Sequence, residues 1–246
     1  MAEVMVLFLT LCLQLLALPV YVLSYLGLWE PFCKKFFFPF FLEKITVIYN
    51  WRMSRQKQEL FRNMMEFADR SGKLTVLEIG CGTGTNFQFF PPNCRVICTD
   101  PNPHFRQSLT KSMARNQHLQ FDQFIVASGE DLSQVADASV DVVVSTTVLC
   151  SVKNVEGVLK EVCRVLKSGG AYIFLEHVAA DRSSWTYLWQ QVWSPTWKLI
   201  FDGCSPMRET WVAIEKENFS EIKLRHIQAP LCQTLVQPHI LGYAVK

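Results

Sequence analysis

The chain has 246 residues, the length of one domain of moderate size or of one domain with appendages. Half of its residues are hydrophobic, 19% are charged and 18 are Phe, which excludes a disordered or collagen-like chain. The formal net charge is only +2, and a mean hydropathy of +0.14 is high for a soluble enzyme, so part of the apolar sequence is expected to face lipid.

From Val4 to Trp29 the chain carries no charge at all. As one helix this run would reach about 39 Å, more than a bilayer core of about 30 Å. It lacks the basic n-region of a signal peptide and is too long for an ordinary h-region, so residues 1–33 are expected to be an uncleaved membrane anchor. Lys34 and Lys35 follow directly, which puts the remainder on the cytosolic side. Pro19 leaves two forms open, a kinked span or a shallow hairpin within one leaflet. Residues 34–72 form a basic and aromatic collar with eight basic and four acidic side chains, whereas 73–246 hold sixteen of each. The collar suits an anionic membrane surface, and no basic stripe or nucleic-acid module appears elsewhere, so no nucleic-acid partner is expected. Within it, Phe36 to Phe41 reads either as a headgroup-level block or as a cap over the domain's own core. Helical spacing of Leu60, Met64, Phe67 and Ala68 predicts a helix from about Glu43 to Arg70, stopped by Ser71-Gly72.

Residues 73–246 read as a nucleotide-binding domain. Thr75 to Ile79 is a short apolar run that ends in Gly80-Cys81-Gly82-Thr83-Gly84-Thr85, the strand-to-glycine turn that opens a βαβ unit. A second strand, Arg95 to Thr99, ends at Asp100, placed to accept hydrogen bonds from a ribose diol. No Lys or Arg lies between Lys73 and Arg95, which argues against a phosphate cradle. The strand ends are acidic instead: Glu78, Asp100, and Glu130 and Asp131 after a third strand at Phe124 to Ala127. A ligand with a ribose and cationic ammonium and sulfonium groups fits, and S-adenosyl-L-methionine has all three. Gly80, Gly82 and Gly84 would let the backbone approach its amino-acid part.

Val140 to Thr146 is a nearly all-apolar strand, Val155 to Leu166 a helix, Ser168-Gly169-Gly170 its stop, and Ala171 to Leu175 the next strand. Such unbroken apolar strands are expected where helices cover both faces of a sheet. Ile222 to Ile227 and Ile240 to Val245 are candidates for an antiparallel edge pair. The nine cysteines are odd in number and contain no CxxC, so reduced thiols are expected rather than a disulfide framework or a metal site.

LEIGCGTGTN, CTDPN, SGEDL, SVDVVVST and VLKSGGAYIF, at this spacing, resemble the class I S-adenosylmethionine-dependent methyltransferases. With the apolar N-terminus, DPNPHF, LEHVAA, FDGC and PHILGYAVK, the whole chain is similar to the membrane-bound alkyl thiol methyltransferases. The resemblance implies an α/β fold, a doubly wound, mostly parallel seven-stranded sheet with a reversed final hairpin. It also implies attachment to the endoplasmic reticulum membrane and lipid droplets, with S-methylation of small lipophilic thiols. O- or C-methylation of a lipid or quinone-like substrate, and a lipid-droplet coat with an idle cofactor fold, are the competing functions. One departure stands out: where many relatives have an Asp after the glycine that follows the third strand, this chain has Glu130-Asp131, so the residue that meets adenine is open.

His177, at the end of the fifth strand, is the candidate catalytic residue, since open α/β sheets place reactive groups at that edge. An imidazole there would raise the thiolate fraction of an acceptor thiol. Cys150 lies at the same edge and reads either as a buried, inert thiol or as a catalytic or metalloid-binding thiol of the kind an arsenite-methylating enzyme would carry, and Asp202 and Cys204 have no assigned role beyond a loop near the substrate side. Trp185, Trp189, Trp193 and Trp197 make a helical stripe, broken by Pro195, that would either wall an apolar substrate or pack on the sheet.

Overall fold

The computed structural model describes residues 2–246. The N-terminal apolar run is not one rod. It forms α1 (Ala2–Leu16) and α2 (Leu18–Tyr25), bent by 74° where Pro19, in the first turn of α2, removes a backbone donor. Among the described residues no single helix is long and apolar enough to cross a membrane, although this pair meets the test jointly. α3 (Trp29–Phe32) continues through a π-helical turn, Cys33–Phe37, into α4 (Phe38–Phe61). The aromatic block therefore straddles the π-helical turn and the start of α4 instead of preceding the helix. Asn63 leaves helical geometry, so the expected helix to Arg70 ends early and a separate 3-10 turn spans Met64–Phe67.

The domain proper runs β1 (Thr75–Ile79), β2 (Arg95–Thr99), α5 (Arg106–Arg115), β3 (Gln120–Ile125), β4 (Val140–Thr146), α6 (Val155–Val165), β5 (Leu166–His177), α7 (Trp185–Ile200), α8 (Thr210–Lys216), β6 (Glu221–Gln228) and β7 (Pro238–Val245). The seven strands lie in the order β3-β2-β1-β4-β5-β7-β6, with β7 antiparallel to both of its neighbours. This is the doubly wound sheet with a reversed final strand that the sequence predicts.

Strand alternation separates two cores. Leu77, Ile79, Val143, Tyr172 and Phe174 pack against α6 and α8, while Val76, Val142, Val144 and Ile173 pack against Phe61, Met64, Phe87 and Leu109. Each large side chain buried in this way contributes roughly 1.5–3 kcal/mol relative to exposure. α6 forms because Asn154 Oδ1 accepts the Gly157 N–H at 3.0 Å and Val158, Leu159, Val162 and Val165 share its buried face.

Three further details depart from the sequence pattern. β3 covers Gln120–Ile125, ahead of the expected Phe124 to Ala127, because an edge strand with mostly solvent-facing residues gives little apolar signal. Ser168-Gly169-Gly170 is not the helix stop. β5 already begins at Leu166, opposite Val140, and pairing resumes at Ala171 opposite Val142, so the intervening residues are an irregularity inside the strand. α7 runs through Pro195, which sits on an exposed position while Val192 and Thr196 beside it are buried.

α1 and α2 do not float free of this domain. The Tyr21 hydroxyl lies 3.1 Å from Thr196 Oγ1, and the Trp29 indole N–H donates to the Leu199 carbonyl at 2.8 Å. Both contacts fix the N-terminal helices to α7.

Candidate active site

At the carboxyl edge of β1, β2, β4 and β5 lies one cavity of about 1290 Å³. It occupies the switch point between β1 and β4, where strand order reverses and open α/β sheets place their ligands. One half is built from the strand ends. The other is roofed by α4, α7 and the turn between α3 and α4, through Phe38, Phe41, Tyr49, Trp197 and Phe201.

The strand-end half carries the glycine loop. Gly82 has φ +50°, and a Cβ there would meet nothing nearer than Leu42 Cδ1 at 4.0 Å, so the space over the backbone is open. Gly84 serves a different purpose. A Cβ on it would fall 2.3 Å from the Phe87 ring, so its smallness lets Phe87 pack beneath the loop, and Gly84 itself does not line the cavity. Gly80 does line it.

Asp100, at the end of β2, accepts the Gly82 N–H at 2.9 Å on Oδ2 and the Asn102 N–H at 2.8 Å on Oδ1. These bonds aim the carboxylate into the cavity and leave it lone pairs for a diol. Burial pushes its carboxyl up to about 6, against the pull of the Asn102 and Gly82 donors.

Glu130 lines the cavity and is anchored by the Asn154 N–H at 2.5 Å. Asp131 lies outside it, exposed, and accepts the Ser133 N–H at 3.1 Å. The two acidic candidates are thus separated: only Glu130 reaches the site.

Glu78 is buried and does not line the cavity. Its Oε1 accepts from Asn86 Nδ2 at 2.6 Å, whereas Oε2 is buried with no partner. Behind Asn86 stands Lys57 of α4, whose ammonium donates to Asn50 Oδ1 at 2.6 Å and Asn86 Oδ1 at 2.7 Å. Burial moves both charges toward neutrality, Glu78 up to about 7 and Lys57 down to about 7. The sequence reading missed Lys57, because one Lys among the basic residues of the collar looks like a surface charge. Asn86, immediately after the glycine motif, was the available hint.

His177 lies where the sequence placed it, at the end of β5, lining the cavity with 5% of its surface exposed. Its Nε2 lies 3.2 Å from Cys204 Sγ, and Nδ1 is buried without a partner. Cys204 Sγ is in turn 3.5 Å from Cys150 Sγ and accepts the Trp197 indole N–H at 3.3 Å. The hydrogen bond shared with Cys150, with the one from Trp197, pulls the Cys204 thiol below its ordinary range although burial opposes it. Cys150 is therefore buried, as expected, but not isolated. The neighbouring Glu176 accepts Ser145 Oγ at 2.8 Å and the N–H groups of Val148 and Leu149 at 2.9 and 3.1 Å, which fixes the Cys150 loop to the His177 strand.

A second imidazole was not anticipated. His239 Nδ1 donates to the Gln237 carbonyl at 3.2 Å, leaving Nε2 to accept the Tyr49 hydroxyl at 3.2 Å. Burial holds His239 down to about 3, and the nearby His177 adds to this. The Trp stripe divides: Trp185 and Trp189 are exposed by 74% and 43%, and Trp197 lines the cavity, so the stripe is not sheet core.

An open glycine cradle, a diol-ready Asp100 and the absence of any Lys or Arg from the glycine loop define an S-adenosylmethionine-dependent methyltransferase. A methyltransferase-domain family model matches residues 77–174. Human thiol S-methyltransferase TMT1A is 62% identical over 224 residues, covering 91% of each chain. Human thiol S-methyltransferase TMT1B is 51% identical over 244 residues, 99% of this chain and 100% of that one. The chain belongs to this thiol S-methyltransferase family. Among solved structures, geranyl diphosphate methyltransferase in complex with GPP and sinefungin superposes with a TM-score of 0.59 over 78% of each chain at 14% identity, a likeness of fold alone.

Proposed function

We propose that the enzyme moves a methyl group from S-adenosyl-L-methionine to the sulfur of small lipophilic thiols. One observation carries this reading: the cofactor cradle and an aromatic, largely apolar chamber are halves of a single cavity, with His177 and Cys204 lining it. The cofactor supplies a methyl group on a positively charged sulfur, reactive enough for in-line displacement. The protein's task is to align the acceptor and exclude water.

Asp100 receives the ribose hydroxyls, Glu130 meets the adenine side, and Gly80 and Gly82 admit the amino-acid part. Glu78, behind the cavity wall with Oε2 unpartnered, acts on a cationic ligand group through its charge and through the loop it supports, not by contact. Gly84 and Asp131 act at a distance, shaping the loops rather than touching the ligand. His177 is the proposed catalytic residue: its imidazole takes the proton of an acceptor thiol once the substrate sulfur replaces Cys204 beside Nε2. Phe38, Phe41 and Trp197 give the acceptor apolar walls.

We further propose that this chemistry takes place at the cytosolic face of the endoplasmic reticulum membrane and at lipid droplets, with residues 1–33 as the anchor. Leu7, Phe8, Leu11, Leu15 and Leu16 on α1 are at least half exposed. Phe36, Phe40, Val47 and Trp51 continue an exposed apolar stripe at helical spacing, beside Lys35, Lys44 and Arg52. Since α4 also roofs the cavity, a lipophilic thiol would arrive from the lipid side.

The test is transfer of label from radioactive cofactor to matched thiol and phenol acceptors, with the full chain on vesicles. Thiols should be methylated and phenols not. Equal or preferential phenol methylation would overturn the reading.

A further inference from the structure

Cys150, His177 and Cys204 are brought together from three separate places in the chain, the loop after β4, the end of β5 and the loop after α7. One ligand atom from each lies within 4.8 Å of the others. From these positions we infer that the three side chains form a binding site for one zinc ion, with the acceptor thiol as its fourth ligand. The inference rests on the thiol reading and changes how the sulfur is activated: Cys204 stays beside Nε2, and the ion takes over the part given above to His177.

Distances support it. Zn–S bonds of about 2.3 Å and Zn–N bonds of about 2.0–2.1 Å at tetrahedral angles set S···S edges near 3.8 Å and S···N edges near 3.5 Å. The observed edges are 3.5 Å between the sulfurs and 3.2 Å from Cys204 Sγ to His177 Nε2. Lengthening each of these two edges by roughly 0.3 Å brings them to the size of the ion, and the third, between Cys150 and His177, lies within 4.8 Å. Entry of the ion releases the two cysteine protons to solvent, and the resulting two thiolates with one neutral imidazole cancel its divalent charge, so it adds no net charge to a buried site.

The surrounding bonds are those of a supported site. The Ser205 N–H donates to the Cys150 carbonyl at 2.9 Å, which ties the two cysteine loops together. Glu176 holds the Cys150 loop from the other side through Val148 and Leu149. The Trp197 indole donates to Cys204 Sγ, the kind of outer contact that orients a metal-bound thiolate. All three ligands line the cavity, so three positions are filled by protein and the fourth opens toward the acceptor. Closed structural sites use four protein ligands, and open three-ligand sites are the catalytic kind.

The step balances. On binding, the acceptor S–H gives its proton to solvent and the sulfur becomes a thiolate, the work that His177 performs when no ion is present. A lone pair of that sulfur forms the new C–S bond while the sulfonium C–S bond breaks, its electron pair staying on the leaving sulfur. The products are two neutral thioethers, and the methylated one is a poorer ligand and departs.

The experiment uses the full-length protein, kept reduced with a phosphine, stripped by a chelator and titrated with Co²⁺ alone. The expected result is one equivalent bound, with the visible bands of tetrahedral thiolate coordination, displaced by Zn²⁺. Cys204→Ser and Cys150→Ser should each weaken binding about 100-fold, whereas Cys98→Ser, a buried thiol elsewhere, should not. A small alkyl thiol added to the Co²⁺ protein should shift the bands. No stoichiometric uptake by the unmutated protein, or uptake retained by the double Cys150→Ser, Cys204→Ser variant, overturns the site. Bands indifferent to thiol overturn the fourth position. Methyl transfer to thiols is assayed on the same stripped sample: turnover without any metal uptake sinks only the zinc inference, and absence of thiol turnover at every metal content sinks the thiol reading itself.

Discussion

The two halves of the cavity are built by different means. The cofactor half is built at the strand ends: Gly80 to Gly84, Asp100 and Glu130 each follow a strand, and backbone N–H groups of the loops gathered at that edge, those of Gly82, Asn102 and Asn154, hold the two carboxylates. The acceptor half is assembled from afar, with α4, α7 and the loop at Cys204 meeting over the sheet edge. A cradle made from strand ends persists as long as the sheet does. A roof made from docked helices depends on each docking contact, so the halves should fail separately when disturbed.

The largest expected effect falls on the connection between them. Lys57→Met leaves the carbonyl oxygens of Asn50 and Asn86 without their donor, at about 1–3 kcal/mol each. Urea unfolding should show a loss of roughly 2–6 kcal/mol, with α4 and the acceptor wall loosened first. A change below 1 kcal/mol would show that the buried ammonium is not what holds α4 down.

Next comes the cofactor half alone. Asp100→Ala should weaken S-adenosylmethionine binding by ten- to a hundredfold, about 1.5–3 kcal/mol, with the sheet intact by circular dichroism. Calorimetry showing unchanged affinity would remove Asp100 from the site. Proton linkage makes a smaller claim on the same residue. Its folded pKa of about 6 lies above the ordinary value of about 3.9, so in the free protein its contribution to stability is present below that value and is lost as pH rises through 6. Cofactor binding needs the ionised form, so affinity should be level above pH 6 and fall about tenfold per unit below it. In Asp100→Asn that slope should vanish.

The smallest effect isolates the acceptor half. Trp197→Ala should leave cofactor affinity alone and raise KM for a bulky alkyl thiol roughly three- to tenfold, one lost aromatic wall. A parallel loss of cofactor affinity would mean that the halves are not separable at this residue.

The same division explains what the sequence revealed. Strand-then-glycine, the acidic residues at strand ends and the unbroken apolar strands are short-range signals, so the sheet and the place of Gly80, Gly82 and Asp100 at its edge could be read, whereas Glu78 and Gly84, expected beside them, do not line the cavity. Which of Glu130 and Asp131 faces the cavity could not, because adjacent residues in a turn point to opposite sides and the choice is made by the distant Asn154 N–H. The pairing of Cys150 with Cys204 spans 54 residues, and that of His177 with Cys204 spans 27, so no motif announces either. Lys57 and Tyr49 were hidden for another reason: the spacing of Leu60, Met64, Phe67 and Ala68 points to a helix packed on the domain, but nothing in it marks a Lys and a Tyr further up that helix as inward-facing.

The bridge from Lys57 through Asn86 to Glu78 also bears on how the enzyme loads its two ligands. It runs from a helix over the acceptor chamber to the strand beneath the cofactor loop, through three buried polar groups with no slack between them. Of the three only Lys57 lines the cavity, so a ligand that shifts it bears on Glu78 through Asn86. Whatever factor cofactor loading applies to thiol affinity, thiol loading must return to cofactor affinity, because the two orders of binding close one thermodynamic cycle. Lys57→Met cuts that cycle's mechanical link, so in the variant the two dissociation constants should become independent of each other.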